Sequence, residues 1–264
     1  MTFSPILPQS GYAGWAFLKR TMVAQKATLV ATAPLKRDED YFRARIGAIN
    51  TAEELVKDKR LLRVALTAYG LEGDVNNTYF IKRVLADGTL TTGALANKLA
   101  DKQYQKFSAA FGFGDFKTPR NKLSDFADKT LALYETRQFE AAVGTQSTDM
   151  RLALNIEREL PALAKKPVSE DSMWYAVMGN TAMRKVFEQA LSLPASFGAI
   201  DLDRQLATLK TRTESMFGSP SVKQFTDPAQ VEKLVRQFLV RSDEGVASGT
   251  TRGAMALQLL QAGR

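Results

Sequence analysis

A phrase that occurs twice, and loosely a third time, constrains what this chain can fold into more than any other feature. It is an Asp-Lys pair, an apolar residue, a basic residue and an Ala-aromatic-Gly ending, all carried on helical periodicity. The first copy runs from Asp58-Lys59-Arg60-Leu61-Leu62-Arg63-Val64 to Ala68-Tyr69-Gly70. The second runs from Asp101-Lys102-Gln103-Tyr104-Gln105-Lys106-Phe107 to Ala110-Phe111-Gly112, shorter by one residue in its middle. A looser third copy starts at Asn180, with Met183, Val186 and Leu193 at the spacings of Leu61, Val64 and Leu71. Such repetition predicts related helix-and-turn units that bury their apolar faces against one another. Within them Tyr69 and Phe111 read as core anchors, and the glycines that follow as left-handed helix caps.

The chemistry open to the chain is narrow. Its 264 residues include no Cys and no His, which excludes disulfides, thiolate nucleophiles, imidazole bases and the usual zinc ligands. Gly112-Phe113-Gly114 lacks the Lys-Ser or Lys-Thr of a phosphate loop and reads as a helix stop. The carboxylate pairs Asp38 with Asp40 and Asp201 with Asp203 lack the further ligands of a calcium loop and read as helix termini. No nucleophile-elbow pattern occurs. The expectation is a non-enzymatic protein with no catalytic residues, no cofactor and no metal site.

The net charge of +8 steers a protein toward nucleic acid or anionic lipid. Here the bases are interleaved with acids, as in Lys36-Arg37-Asp38-Glu39-Asp40 and Lys57-Asp58-Lys59-Arg60, which is the pattern of solvated helix faces. Lys59, Arg60 and Arg63 share one side of the first repeat helix, and that cluster makes nucleic-acid binding the second reading. No stretch approaches the roughly 20 uninterrupted apolar residues of a membrane helix. Residues 1–10 carry no basic region ahead of an apolar run, so neither a membrane span nor a cleavable signal is expected.

Helical spacing predicts an amphipathic helix over residues 11–33, closed by Pro34, and a second over 36–49. Thr51-Ala52-Glu53-Glu54 has the form of a capping box that opens the first repeat helix, which Gly70 ends. Helices are expected over 77–85 and 91–99 ahead of the second repeat. The glycines of 112–114 with Pro119 mark a soft boundary. This gives an N-terminal helical repeat region at 1–115, a long-helix and C-terminal helical region at 116–241 and a flexible tail at 242–264, with a single domain as the alternative. One or two long helices are predicted over 120–143 and 149–164, interrupted mainly at Gly144 and Pro161. Further helices start at Ser169 and around Leu202. Asp227-Pro228-Ala229-Gln230 combines a capping Asp, Pro at the first helical position and a Gln placed to close the box. No alternating pattern argues for a sheet, so the expected fold is all-α, a multi-helix bundle built from the related units. The tail carries an apolar patch, and its Met255, Leu257, Leu259 and Leu260 are the candidate interaction residues.

The chain resembles a family of uncharacterised alphaproteobacterial proteins, catalogued as a domain of unknown function and often encoded within flagellar gene clusters. The matching stretches are Gly14-Trp15-Ala16-Phe17-Leu18-Lys19-Arg20-Thr21, Asp40-Tyr41-Phe42-Arg43 with Ile46, and the capping box with the Asp58 repeat through Tyr69-Gly70-Leu71-Glu72. They continue with Tyr79-Phe80-Ile81-Lys82-Arg83-Val84-Leu85 and with Leu95-Ala96-Asn97-Lys98-Leu99 into Ala110-Phe111-Gly112-Phe113. These are packing and capping residues, and the family offers no catalytic residues to carry over. The resemblance implies a structural or assembly component of the bacterial flagellum, acting through contacts with other flagellar or assembly proteins, in the cytoplasm or at the basal body. A basic nucleic-acid-binding or regulatory helical protein is the alternative.

Overall fold

A computed structural model describes residues 3–243, so Met255, Leu257, Leu259 and Leu260 lie outside the described residues. Among those described, every regular element is helical. In chain order they are α1 (Gly11–Val30), α2 (Ala33–Arg45), α3 (Ala52–Lys57), α4 (Lys59–Tyr69), α5 (Thr78–Ala86), α6 (Leu95–Lys98) and α7 (Gln103–Phe111). There follow α8 (Phe126–Gly144), α9 (Thr148–Ala164), α10 (Glu170–Gly179), α11 (Thr181–Ala190), α12 (Leu202–Phe217) and a helix over 228–243, α13. The described residues group into two compact units, one made of residues 3–5 with Thr21–Ala142, the other of Ile6–Arg20 with residues 143–243. The glycine break at 112–119 does not part them. Asn121, just past that break, donates through Nδ2 to the carbonyls of Ile46 at 2.6 Å and Ile49 at 2.8 Å, which fastens the following segment into the first unit.

In the first unit Pro34 opens α2 rather than closing α1, since its fixed φ and missing N–H suit a first helical turn. The capping box forms with its return bond shifted by one residue: the Glu54 amide donates to Thr51 Oγ1 at 3.2 Å, and Glu54 Oε2 accepts from the Asn50 amide, just before the cap, at 2.7 Å. The helix it opens is short. Asp58 adopts an extended conformation (φ −86°, ψ 91°), ends α3 and caps α4, its Oδ1 accepting from the Arg60 amide at 3.1 Å and the Leu61 amide at 3.0 Å. The first repeat is therefore an elbow of two helices joined through one residue. Gly70, at φ 75°, closes it as expected, with the Leu71 amide donating to the Leu66 carbonyl at 2.8 Å. The second repeat keeps this grammar, with Asp101 Oδ1 accepting from the Gln103 amide at 2.8 Å and Gly112 capping α7 at φ 65°. The helix expected over 91–99 shrinks to α6. Around α7 the aromatic rings pack edge-on: Phe107 lies 5.1 Å from Phe111, and Phe111 lies 4.9 Å from Phe126.

The second unit holds the third repeat, which is closer to the first than its sequence suggests. Asn180 ends α10 and caps α11, its Oδ1 accepting from the Met183 amide at 3.0 Å. At the exit the Leu193 amide donates to the Glu188 carbonyl at 2.8 Å, the bond that Leu71 makes to Leu66. Ser192 stands where the first copy has Gly70 and adopts φ 52° without being glycine. Its core is a second aromatic cluster in which Phe187 lies 5.3 Å from Trp174 and 5.5 Å from Phe225. The first part of α1 also belongs here: Trp15 is fully buried and donates through Nε1 to Glu232 Oε1 of α13 at 3.2 Å. A Cβ at Gly14 would collide with the Gln9 carbonyl, which accounts for glycine beside that tryptophan. Asp227 caps α13 through the Ala229 amide at 2.9 Å, but Gln230 does not close a box, its Oε1 being buried without a partner. Ser242, assigned from sequence to the tail, is a buried residue of α13.

Candidate functional site

The polar residues singled out from sequence are tied into the fold. Asp201 is a helix terminus as expected, accepting from the amides of Asp203 at 2.9 Å and Arg204 at 3.3 Å. Asp38 is not one: it lies inside α2 and accepts from Arg60 Nε at 2.8 Å, Arg63 Nη2 at 2.9 Å and the Tyr134 hydroxyl at 3.2 Å. The basic face of the first repeat is thereby tied into the unit, its two arginines sharing one carboxylate. The Arg60 guanidinium also stacks 4.5 Å from the Tyr41 ring, Lys57 pairs with Glu53 at 2.8 Å, and Lys59 donates to the Val75 carbonyl at 3.1 Å. Burial first, and then the Asp38 charge, pushes the Tyr134 phenol well above its ordinary range.

The stop at 112–114 leads into another closed arrangement. Asp115 accepts from the Thr89 amide at 2.7 Å, the Thr89 hydroxyl at 2.8 Å and the Leu90 amide at 3.0 Å, joining the loop after α5 to the loop after α7. Burial alone would raise this carboxyl, but the three hydrogen bonds and the Arg120 charge outweigh it and hold the group below the usual carboxylate range. Gly114 permits the approach, since a Cβ there would strike the Ala86 carbonyl. Among the described residues no group of three or more acids is placed to hold a metal ion, and no helix is long and apolar enough to cross a membrane.

One surface of the first unit is different. The second half of α1 presents Val23, Lys26, Ala27 and Val30 on one face, followed directly by Ala31, and with Lys36, Glu39 and Asp40 of α2 and Glu135 of α8 they line an open groove of about 580 Å³. Val23 is 81% exposed. Glu39 sits on the inward stripe of α2, between Leu35 and Phe42, and is only 8% exposed. Its Oε1 has no hydrogen-bond partner. Burial, reinforced by Glu135 and Asp40 and opposed by Arg43, raises the carboxyl above its ordinary value. The contrast with the other buried glutamates is direct, since Glu140 lies beside Arg137 at 3.4 Å and Glu159 bonds Arg158. Of the cations near Glu39, Lys26 donates to Thr136 Oγ1 at 2.9 Å and faces Glu135 at 3.6 Å, Arg43 pairs with Asp128, and Lys36 lines the groove without reaching Glu39 Oε1. A negative charge held at the floor of an apolar-walled groove is suited to receive a cation carried on an apolar scaffold. Sequence reading missed Glu39; the signal was an acid four residues after Leu35 and three before Phe42 on a helix with helical apolar period.

The family model described as "Protein of unknown function (DUF1217)" matches residues 68–231. Among solved structures, an X-ray crystal structure of a protein from Agrobacterium tumefaciens aligns with a TM-score of 0.73 at 23% sequence identity, covering 91% of this chain and 98% of that one. At that identity the likeness shows a shared fold. A search of the curated proteins found no match.

Proposed function

Starting from the fact that the chain belongs to the DUF1217 family of proteins of unknown function, we propose that it acts through protein contacts rather than catalysis, as a structural or assembly component associated with the bacterial flagellum. The observation that carries the contact reading is the groove on the first unit, where an apolar face of α1 meets the uncompensated carboxylate of Glu39. Elsewhere in that unit the charged residues of the repeats serve as caps and internal ion pairs. The flagellar part of the reading rests on the family resemblance carried by the Trp15, Tyr41 and Asp58 segments. The nucleic-acid alternative draws on the +8 charge, but its cluster at 57–63 is engaged with Glu53, Asp38 and the Val75 carbonyl.

Deletion of the gene, with swimming scored and filaments counted by microscopy, tests the reading. Loss of filaments or motility, restored by the intact gene, is expected. Normal flagella and swimming would refute it and bring forward a mobility-shift titration against DNA and RNA, where salt-sensitive binding marks the alternative.

A further inference from the structure

For stability alone, a carboxylate on the core-facing stripe of α2 is an unfavourable choice. Leu35 and Phe42 flank Glu39 on the same buried face, and a neutral side chain at that position would pack without desolvating a charge. The same unit shows how it balances such a group, by setting Arg137 against buried Glu140. At Glu39 no such partner reaches Oε1. The groove beside the carboxylate is open, and the charged residues lining it are three acids, Glu39, Asp40 and Glu135, against two bases, Lys26 and Lys36, so the complement it lacks is a cation. Beside the acid, Val23, Ala27, Val30 and Ala31 recur at separations of four, three and one along α1 and the residue after it, a ridge of small apolar side chains of the kind that receives an amphipathic helix.

We propose that this groove, on the reading that the protein works through protein contacts, receives an amphipathic helix of a partner protein: its small apolar side chains lie along Val23, Ala27, Val30 and Ala31, and its arginine or lysine reaches Glu39. An arginine suits the site best, because a guanidinium presents several donors to a carboxylate and loses less hydration on entry than an ammonium. The apolar ridge sets where the helix lies and the carboxylate sets its register, so a helix with the cation displaced by one residue would turn its charge away from the site.

The test uses the full-length chain and two labelled synthetic helices of alanine and leucine that differ only in a central Arg or Gln, titrated by fluorescence anisotropy. The Arg helix is expected to bind about ten-fold more tightly, a difference of about 1.4 kcal/mol. Glu39→Gln should abolish that preference, and Val23→Asp should weaken both helices. Leu123→Asp, at a residue 59% exposed and away from the groove lining, should change neither. Glu39→Gln should also raise Tm by about 2 °C, as removal of an uncompensated charge does in a chain of this size, whereas damage to packing would lower it. Equal binding of the two helices, binding by neither, or a preference that survives Glu39→Gln would overturn the proposal. Tighter binding of a peptide of residues 244–264, or self-association lost in Val23→Asp, would overturn it in favour of this chain's own segment or a second copy. Normal motility after gene deletion would refute the flagellar reading and leave these titrations standing, so the two failures are distinguishable.

Discussion

The elbow at Asp58 in the first unit and the elbow at Asn180 in the second are one backbone device written with different residues. In each, a single extended residue ends one helix and caps the next, and the exit closes with an amide just past the helix donating five residues back. The first uses a carboxylate, which accepts from two backbone amides and from the Tyr41 hydroxyl at 2.8 Å, and a glycine at the exit. The second uses an uncharged amide that accepts from one backbone amide, and a serine held at positive φ. The geometry is therefore set by which atoms can accept and which φ can be reached, and residue identity tunes how firmly the device is held.

The largest separation between the two should come from removing the caps. Asp58→Ala is expected to cost about 2 kcal/mol, since it leaves two amides and a hydroxyl without an acceptor, and Asn180→Ala about 1 kcal/mol. Chemical denaturation of both variants measures this, and an equal or reversed ranking would break the comparison. A smaller, pH-dependent effect is expected in the first unit at Asp115, the carboxylate that follows the second repeat. Its folded value is held low, so its stabilisation is complete above the unfolded carboxyl pKa of about 3.9 and disappears as pH falls through the lower folded value. Amide exchange at Thr89 and Leu90 should accelerate in that acid window, while the Met183 amide, bonded to Asn180, keeps its protection. Asp115→Asn should flatten the response, and a response unchanged in that variant would assign the sensitivity elsewhere. The smallest effect is a gain. Ser192→Gly should stabilise the second unit by roughly 0.5–1 kcal/mol by relieving a non-glycine residue at φ 52°, read as a rise in Tm, and a loss would mean that the serine side chain contributes more than its strain costs.

What was legible in the sequence was local. The capping box at Thr51, the left-handed stops at Gly70 and Gly112, the Asp227 start and the third repeat at Asn180 are each specified within one or two helical turns, and the structure contains them. Reading was weakest where a local pattern has two outcomes. Pro34 suits the end of one helix or the first turn of the next, and the stretch 52–69 keeps helical period through Asp58, so nothing along the sequence requires the break there. The Tyr41 hydroxyl, seventeen residues away, also donates to Asp58 and so ties the elbow to α2. The groove was not legible, because Glu39 lies in a run of alternating charges whose ordinary outcome is a solvated face.

By itself, then, the sequence determined an all-helical chain, the places where most helices begin and end, and the absence of thiol and imidazole chemistry, because periodicity, caps and composition act over a few residues or none. Tertiary structure decided which charges are solvated and which are not. Asp38 meets Arg60, Arg63 and Tyr134 across separations of 22, 25 and 96 residues, and that meeting turns a basic cluster into internal bracing. Packing of α1 and α8 beside α2 likewise makes Glu39 a buried, unbalanced acid instead of one more surface charge. Burial and electrostatic pairing depend on which distant residues come within a few ångströms, and only the folded chain fixes that.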